Sequence, residues 1–583
     1  MTINVYEMIS LGAYFLLMLG IGIYAYREST SDLNEYMLGG RKLHPAVGAL
    51  SAGASDMSGW MLMGLPGAIY LSGIGSAWIA VGLTIGAYLN YRFVAPRLRI
   101  YTEIAKDSIT LPDFFENRFH DNSHLLRLIS AIVIIVFFTV YTSAGIVSGG
   151  KLFAESFGLD YRVGLFATAG VVLAYTVVGG FLAVSLTDFV QGCIMFLALI
   201  LVPIVCYMHF NGSADAIAET VRTAPPFTDI DGTDGPTRNG FFNWFDGMTV
   251  LGFLSLMAWG LGYVGQPHII VRFMAIRSLK DVAAARYIGM SWMLVTVIGA
   301  VLVGIVGVAY VNENGLQEQL RDNETIFILL SQTLFHPLVS GFLLAAILAA
   351  IMSTISSQLL VSSSSLTEDI YKTFVNKDAP QSLLVTIGRL TTVGVSIVAI
   401  ALAWDPDSSI LGLVSNAWAG FGAAFGPMVI LSLFWKGYTR NGALASMIVG
   451  AVTVLVWLYV PILDGKPLES IMYAMIPGFA FAFLAGLVAS NPTKYGLVSG
   501  ILSFVLLLPL YILVGVFLAD ITGSYTFLTL LPVLVPTLSA IVVVAAVSIA
   551  TNKKAVADEI TAEFAAMEQR MDEVHGKGIG SII

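Results

Sequence analysis

Long apolar runs alternate with short polar segments along almost the whole chain, as far as about residue 550. A bilayer core of roughly 30 Å requires about 20 apolar residues in a helix, and about fifteen runs are long enough. Only helices or closed barrels satisfy their backbone in lipid, and the short alternating strands of a barrel are not seen. The pattern therefore predicts an all-α membrane protein. The predicted spans are 6–26, 46–70, 74–95, 128–152, 162–180, 188–208, 248–268, 288–310, 337–366, 384–403, 410–434, 442–461, 470–489, 496–519 and 527–550.

Composition agrees with this interpretation and excludes several other classes. Of the 583 residues 57% are hydrophobic and 11% charged, whereas a soluble domain carries about a quarter charged residues. The net charge of −9 gives no basic footprint for nucleic acid. We find no phosphate-binding loop for ATP and no convincing nucleophile–base or metal set, so we expect neither an enzyme nor an organic cofactor. The two cysteines predict no disulfide framework.

Basic residues favour the loops on one side of the membrane, and such loops face the cytoplasm. The opposite loops are acidic, as in residues 215–246 and 313–324. This alternation predicts a multi-pass protein of the inner membrane with its N-terminus outside and its C-terminus in the cytoplasm. The tail after Thr551 is short and charged, with helical character around 559–574. The basic residues are Arg27, Arg41, Lys42, Arg92, Arg97, Arg99, Lys106, Arg118, Arg127, Arg272, Arg277, Lys280, Arg286, Lys372, Lys377, Lys436 and Arg440.

The second span is interrupted by polar and small residues at Ala52–Trp60, followed by Pro66. Asp56 stands in mid-membrane, where an unpaired charge costs at least ~2.5 kcal/mol, so we expect it to face a partner, water or an ion. Close helix packing alone would explain Gly53 and Gly59 but not Asp56.

The seventh span is interrupted at Trp259–His268, where Pro267 lacks the N–H that would bond the carbonyl of Tyr263. Trp259 and Tyr263 are four residues apart and share a helix face. A free carbonyl beside two aromatic rings suits a substrate with a cationic nitrogen and an apolar ring. An aromatic anchor at the interface is the alternative. The GxGxxG string at 260–265 follows no predicted strand, so it does not predict a dinucleotide site.

Hydroxyl side chains cluster in the ninth span at 353–357. Such hydroxyls commonly bond back to their own helix, but opposite a broken helix they offer oxygen ligands for Na⁺. Asp188 is predicted to start the sixth span, where either the helix dipole or a role in ion passage explains it.

At these interrupted spans the sequence resembles the sodium/solute symporter family, over most of the chain from Tyr36 to Gly450. The resemblance is carried by Tyr36–Arg41, Ser51–Trp60, Trp259–His268, Ala350–Thr354 and Leu413–Gly422. It implies a LeuT-type fold of five-plus-five inverted repeats, with one preceding helix and about four following helices. The last two spans extend beyond the common pattern of about thirteen helices. The implied units are 1–45 (first helix and cytoplasmic loop), 46–208 (first repeat), 209–247 (external loop), 248–434 (second repeat), 435–550 (additional helices) and 551–583 (cytoplasmic tail).

The resemblance further implies sodium-coupled uptake of L-proline by alternating access. Uptake of another small organic solute, such as pantothenate or a monocarboxylate, proton coupling, and solute sensing are the alternatives. Asp56 and Asp188 match carboxylates tied to sodium-dependent transport. The implied sodium ligands are Ala54, Met57, Ala350, Ser353 and Thr354. The implied substrate pocket consists of Ser58, Gly59, Trp60, Tyr141, Trp259, Tyr263, Gln266 and Pro267.

Overall fold

A computed structural model describes residues 4–28, 37–227, 237–248, 250–459 and 554–575. Over these residues the chain is helical, and its only extended pairing is a single bridge between Leu43 and Ile276. The predicted spans 470–489, 496–519 and 527–550 lie outside the described residues. The helices of the first half are α1 (Val5–Glu28), α2 (Pro45–Asp56), α3 (Leu65–Ser72), α4 (Trp78–Leu89), α5 (Ala95–Ile104), α6 (Leu111–Arg118), α7 (Leu125–Phe157), α8 (Tyr161–His209) and α9 (Ala214–Thr223).

The second half repeats the alternation of long helices and short interrupted ones. Its helices are α10 (Val250–Met257), α11 (Trp259–Tyr263), α12 (Pro267–Ala275), α13 (Leu279–Asn314), α14 (Ile326–Leu334), α15 (Pro337–Ser364), α16 (Gln381–Leu402), α17 (Ile410–Phe434), α18 (Arg440–Tyr459) and α19 (Lys554–His575). Within the described residues, seven helical segments have the length and hydropathy to cross a membrane. These are Val5–Ala25, Leu125–Phe157, Gly180–His209, Leu279–Asn314, Pro337–Val375, Gln381–Leu402 and Ile410–Phe434.

Burial divides these helices into an interior set and a peripheral set. α15 and α17 are enclosed over most of their length, whereas α1 and α16 expose apolar side chains such as Leu16, Leu390 and Ile397. Large exposed apolar side chains are tolerated where the surrounding medium is lipid. The candidate site lies among the interior helices.

One predicted boundary is wrong, and the error comes from arginines that are not in solvent. The span predicted at 74–95 continues through a π-helical turn at Asn90–Val94 into α5, as far as Ile104. Arg97 and Arg99 are buried there and donate to the backbone carbonyls of Leu433 (3.2 Å) and Ile276 (2.5 Å). The guanidinium groups are satisfied by protein acceptors, so the helix does not have to end where the charges begin.

The two ends of the helix bundle are named after charged residues that lie there. We call the end with Arg41, Arg118 and Arg277 the basic end, and the end with Asp322 and Glu324 the acidic end. At the acidic end Lys151 contacts Asp322 (2.7 Å) and Glu324 (3.1 Å). Glu324 also accepts the backbone N–H groups of Ile410 and Leu411 at the start of α17, which its negative charge stabilises.

Candidate ion and substrate site

The second span breaks where the sequence predicts it, between α2 and the π-helical turn at Trp60–Gly64. Met57 leaves helical geometry (φ −83°, ψ 72°), and the N–H of Ser58 donates to Asp56 (3.0 Å). A continuous helix would instead direct the Ser58 N–H to the carbonyl of Ala54. The break therefore leaves the Ala54 carbonyl without its helical donor.

Hydroxyl groups from α15 meet that carbonyl. Ser353 Oγ lies 2.7 Å from Ala54 O, and Thr354 Oγ1 lies 3.5 Å from the same atom. Ser353 Oγ also lies 3.1 Å from the carbonyl of Ala350 in its own helix. A hydroxyl that rotates its proton away presents lone pairs, so all four oxygens can act as hard donors. Met57, the fifth predicted ligand, is the residue at which α2 ends.

The carboxylate of Asp56 has no hydrogen-bond partner among the described residues, although both of its oxygens are buried. Tyr91, Tyr141 and Tyr263 are close enough to interact with it electrostatically. A fully buried and unpaired carboxylate is unfavourable unless a cation or a proton compensates it. The described side chains therefore do not supply the partner that the sequence predicts for Asp56.

The seventh span also breaks, and here the prediction of a free carbonyl is wrong. Gln266 is extended (φ −86°, ψ 106°) between α11 and α12. The carbonyl of Tyr263 is approached by the N–H of Gln266 (3.5 Å) and by Nδ2 of Asn90 (3.4 Å). Gln266 Nε2 donates to the carbonyls of Gly262 (3.1 Å) and Trp418 (3.2 Å). The side-chain amide of Asn90 therefore supplies a donor in place of the N–H that Pro267 lacks.

Aromatic rings from three helices converge beside the two breaks. Trp60 and Trp259 have ring centroids 5.8 Å apart, Trp259 and Trp418 are also 5.8 Å apart, and Tyr263 is 6.1 Å from Trp418. All four side chains are buried, so Trp259 and Tyr263 are not interface anchors. Trp418 Nε1 donates to the carbonyl of Trp259 (2.9 Å), which ties α17 to α11 beside these rings.

The other predicted pocket residues lie around this aromatic cluster. Trp60 Nε1 (3.2 Å) and Tyr141 OH (3.4 Å) both point to the carbonyl of Asp56. Ser58 Oγ is 3.4 Å from the N–H of Trp60. Gly59 packs so closely on Ser148 that a methyl group there would overlap it.

Pro267 lies apart from the rings. It opens α12 and lines a narrow cavity with Ile109, Phe181 and Leu360. Ile109 belongs to the loop at the basic end, so this cavity lies between the aromatic cluster and that end. Of the eight predicted pocket residues, Pro267 is the one that lines this cavity.

Asp188 does not start a helix. The break in α8 is at Gly180 (φ 61°, ψ −161°), and Asp188 lies two turns further on. Its Oδ2 accepts from Ser51 Oγ (2.7 Å) and pairs with Nη2 of Arg272 (3.3 Å), with both charged side chains fully buried. Ser357 Oγ is 3.4 Å from the same oxygen. The dipole interpretation is therefore wrong, and Asp188 joins α12 through a buried ion pair and α2 and α15 through hydroxyl donors.

Sequence reasoning misses three residues of this region. Arg272 is predicted in a loop but is buried opposite Asp188. Asn90, in the third predicted span, reaches the carbonyl of Tyr263. Trp418 lies in the stretch Leu413–Gly422, whose resemblance to the family is the signal that pointed to this helix. The glycines of the GxGxxG string serve close packing, since Gly260 abuts Gly82 and Gly86, and Gly262 abuts Trp418.

Comparison with known proteins finds close relatives over most of the chain. The chain is 58% identical to the high-affinity proline transporter PutP of Bacillus subtilis, over 80% of this chain and 94% of that protein. It is 55% identical to the osmoregulated proline transporter OpuE of the same organism, over 83% and 94%. It is 54% identical to sodium/proline symporter 2 of Staphylococcus saprophyticus, over 82% and 92%.

A solved structure shares the fold. A substrate-bound, outward-open Na⁺-coupled sialic acid symporter superimposes with a TM-score of 0.66 at 19% identity, over 82% of this chain and 98% of that chain. The protein accordingly has an all-helical, LeuT-like membrane fold, and it is a multi-pass transporter of the cell membrane and not an enzyme. The profile of the sodium:solute symporter family matches residues 36–450. This chain belongs to the sodium:solute symporter family.

Proposed function

We propose that the protein carries out sodium-coupled secondary active uptake of L-proline across the cytoplasmic membrane by alternating access. The observation that carries this proposal is the carbonyl of Ala54, freed by the break after α2 and met by Ser353 and Thr354 from α15. An ion bound there links two helices that belong to different parts of the bundle. The printed names of the relatives support proline as the substrate and sodium as the coupling ion.

Sodium is proposed to bind the carbonyls of Ala54, Met57 and Ala350 and the hydroxyls of Ser353 and Thr354. Carbonyl and hydroxyl oxygens replace the hydration shell of a hard cation. Bound sodium would take the place of the Ser353–Ala54 hydrogen bond, so α2 and α15 stay joined while the hydroxyl turns its lone pairs to the ion. The ion thereby holds the interrupted segment in a shape that accepts the amino acid.

Proline is proposed to bind beside the rings of Trp60, Trp259 and Tyr263. The imino acid carries a secondary ammonium on an apolar ring, and aromatic faces attract such cations while burying the ring methylenes. Asp56 and Asp188 are proposed to couple ion to substrate. Asp56 acts through its uncompensated charge, and Asp188 through its ion pair with Arg272. The full proposed pocket is Ser58, Gly59, Trp60, Tyr141, Trp259, Tyr263, Gln266 and Pro267.

One sodium ion supplies enough energy for this task. Moving one charge through 100 mV provides about 2.3 kcal/mol, and a tenfold sodium gradient adds about 1.4 kcal/mol. Since about 1.4 kcal/mol corresponds to tenfold, one ion supports an accumulation of roughly a few hundredfold. ATP is not required for such uptake.

We propose a topology of about fifteen transmembrane helices, with five-plus-five inverted repeats at 46–208 and 248–434. The N-terminus is then outside and the tail at 551–583 in the cytoplasm. The basic end of the bundle faces the cytoplasm, as the excess of arginine and lysine there favours. The contacts of α19 with the basic end support this arrangement, because they place the tail on the same side.

Uptake of radiolabelled proline into proteoliposomes, with and without an inward sodium gradient, tests the function. We expect saturable uptake that sodium stimulates and excess unlabelled proline blocks. Sodium-driven uptake of pantothenate or a monocarboxylate in the same vesicles, without proline uptake, would contradict the substrate and leave the ion site standing. A proton gradient that replaces the sodium gradient fully would contradict the ion.

A further inference from the structure

The C-terminal helix α19 is packed against the basic end of the bundle by one apolar stripe. Four of its side chains are buried at helical spacing: Ile560, Phe564, Met567 and Met571. The ring of Phe564 meets Tyr101 of α5 edge-on at 5.4 Å, and the guanidinium of Arg118 lies 5.0 Å from its centre. The stripe explains why an otherwise charged tail segment folds here, since an amphipathic helix needs a surface for its apolar face.

Polar contacts surround this stripe. Glu563 accepts from Tyr101 OH (3.1 Å) and pairs with Nε2 of His120 (3.2 Å). Arg570 pairs with Glu103 at 2.9 Å. The charged groups of this last pair are both substantially exposed. Exposed pairs of this kind are weak and are screened by salt, so they orient the helix without fixing it permanently.

The helix touches two parts of the bundle that are held by different neighbours. Tyr101 and Glu103 belong to α5, which is tied to the end of α12 through Arg99 and the carbonyl of Ile276. Arg118 belongs to α6 and donates to the carbonyls of Ser432 (3.0 Å) and Trp435 (3.4 Å) at the end of α17. α19 therefore crosses the boundary between the α5–α12 side and the α6–α17 side, a boundary that Arg97 of α5 also crosses by donating to the carbonyl of Leu433 near the end of α17 (3.2 Å).

We propose that α19 is a strap that holds the basic end closed and slows opening of the site toward the cytoplasm. This inference rests on the proposed alternating access, because opening requires the two sides of the boundary to separate. α12 begins at Pro267, directly after the break, and α6 begins at Leu111; both residues line the narrow cavity, so movement of α12 away from α6 would open it. Such movement separates Tyr101 from Arg118, and Phe564, which contacts both, has to leave one of them.

Thiol labelling of the narrow cavity tests the strap without any transport assay. The background is the full chain with C193S and C206S, and the reporter is S364C, because Ser364 lines the cavity beside Pro267. A membrane-impermeant maleimide is applied to the cytoplasmic face of membrane vesicles. With F564A we expect the labelling rate to rise several-fold, while the matched control A565S, on the exposed face of the same helix, leaves it unchanged. Equal rates in F564A and A565S would overturn the proposal.

A reversible lock tests the same strap in the opposite direction and keeps α19 intact. E103C and R570C, added to the reporter background, replace an existing ion pair and are joined by a short disulfide-forming cross-linker. The maleimide is applied after the joining step, and its labelling of position 364 is compared before and after reduction. We expect slower labelling in the locked protein and recovery on reduction. An unchanged rate would overturn the strap even if F564A did not fold.

These readouts need neither proline nor sodium. A strap that responds in both experiments while proline uptake is absent would refute the proposed substrate alone. Sodium-driven proline uptake with no response in either experiment would refute the strap alone.

Discussion

The two interrupted spans occupy corresponding places in the two proposed repeats, yet they satisfy their backbone in different ways. After α2 the freed carbonyl of Ala54 is met by hydroxyls from α15, and the adjacent carboxylate of Asp56 has no partner in the described part of the chain. Between α11 and α12 the side chain of Gln266 fills the gap and donates to two carbonyls. We call the break after α2 the adjustable break and the break between α11 and α12 the filled break.

This difference between the two breaks indicates which of them can respond to a bound ion. Hydroxyl groups rotate easily and both donate and accept. They can therefore give up a hydrogen bond and bind an ion with little movement of the backbone. An amide that spans two carbonyls holds its geometry, because both of its hydrogen bonds are lost when it turns away. We infer that the first break responds to sodium and the second gives the aromatic wall of the pocket a fixed shape.

The largest expected effect follows from removing the hydroxyls at the adjustable break. In the double variant S353A/T354A two ligands are lost, and each contact with a charged group contributes about 1.5–3 kcal/mol. We expect stimulation of uptake by sodium to fall at least about a hundredfold. The control is S364A, whose hydroxyl bonds to its own helix at Leu360. Retained sodium stimulation in the double variant would refute the ion site.

The next largest effect separates the two carboxylates. With D56N we expect the apparent sodium affinity to weaken about tenfold or more, because a tenfold change needs only about 1.4 kcal/mol. With D188N the guanidinium of Arg272 stays buried without its counter-charge, so we expect less folded protein. The sodium dependence of uptake and the amount of monodisperse protein are measured for both. A D56N protein with unaltered sodium affinity would contradict the role of Asp56.

A smaller effect is expected on stability when the filled break is emptied. Q266A leaves the carbonyls of Gly262 and Trp418 without this donor, and we expect a loss of about 1–3 kcal/mol in the free energy of unfolding. S58A removes a long contact of 3.4 Å with the N–H of Trp60 and a hydroxyl contact with Tyr141, so we expect a smaller change in its stability, of less than about 1 kcal/mol. Thermal unfolding in detergent compares the two. Equal shifts would remove the distinction between the breaks.

The smallest effect concerns Asn90, which meets the carbonyl of Tyr263 at 3.4 Å. Replacement by leucine keeps the volume and removes the donor, at about 0.5–1.5 kcal/mol. We expect proline affinity to weaken between twofold and tenfold, with sodium affinity unchanged. T84V, which removes a hydroxyl bonded within its own helix, is the control. A shift in sodium affinity instead would place Asn90 with the adjustable break.

Hydrophobic patterning predicts most of the described architecture because each span must cover itself with apolar side chains. The break after α2 is also visible in the sequence, since Gly53, Asp56 and Pro66 are all unsuited to a lipid-facing helix. The tail helix is predicted as well, at 559–574 against the observed Lys554–His575. Local composition is sufficient for each of these features.

The sequence fails where a polar group finds its partner far along the chain. Arg97, Arg99 and Arg272 look like loop residues because their acceptors, among them Leu433 and Asp188, are not near them in sequence. The carbonyl of Tyr263 looks free because Asn90 is distant in the same way. Pattern analysis detects that a charge needs compensation, but only tertiary packing decides which group supplies it.

The buried pair of Asp188 and Arg272 has a consequence for how the protein is made. Its two charges are 84 residues apart in the chain, so the segment with Asp188 emerges from the ribosome well before the one with Arg272. An isolated charge at mid-membrane costs about 2.5–3.5 kcal/mol on insertion. The growing chain therefore passes through a membrane-bound stage in which Asp188 lacks its counter-charge. The ion pair forms only after α12 has been synthesised.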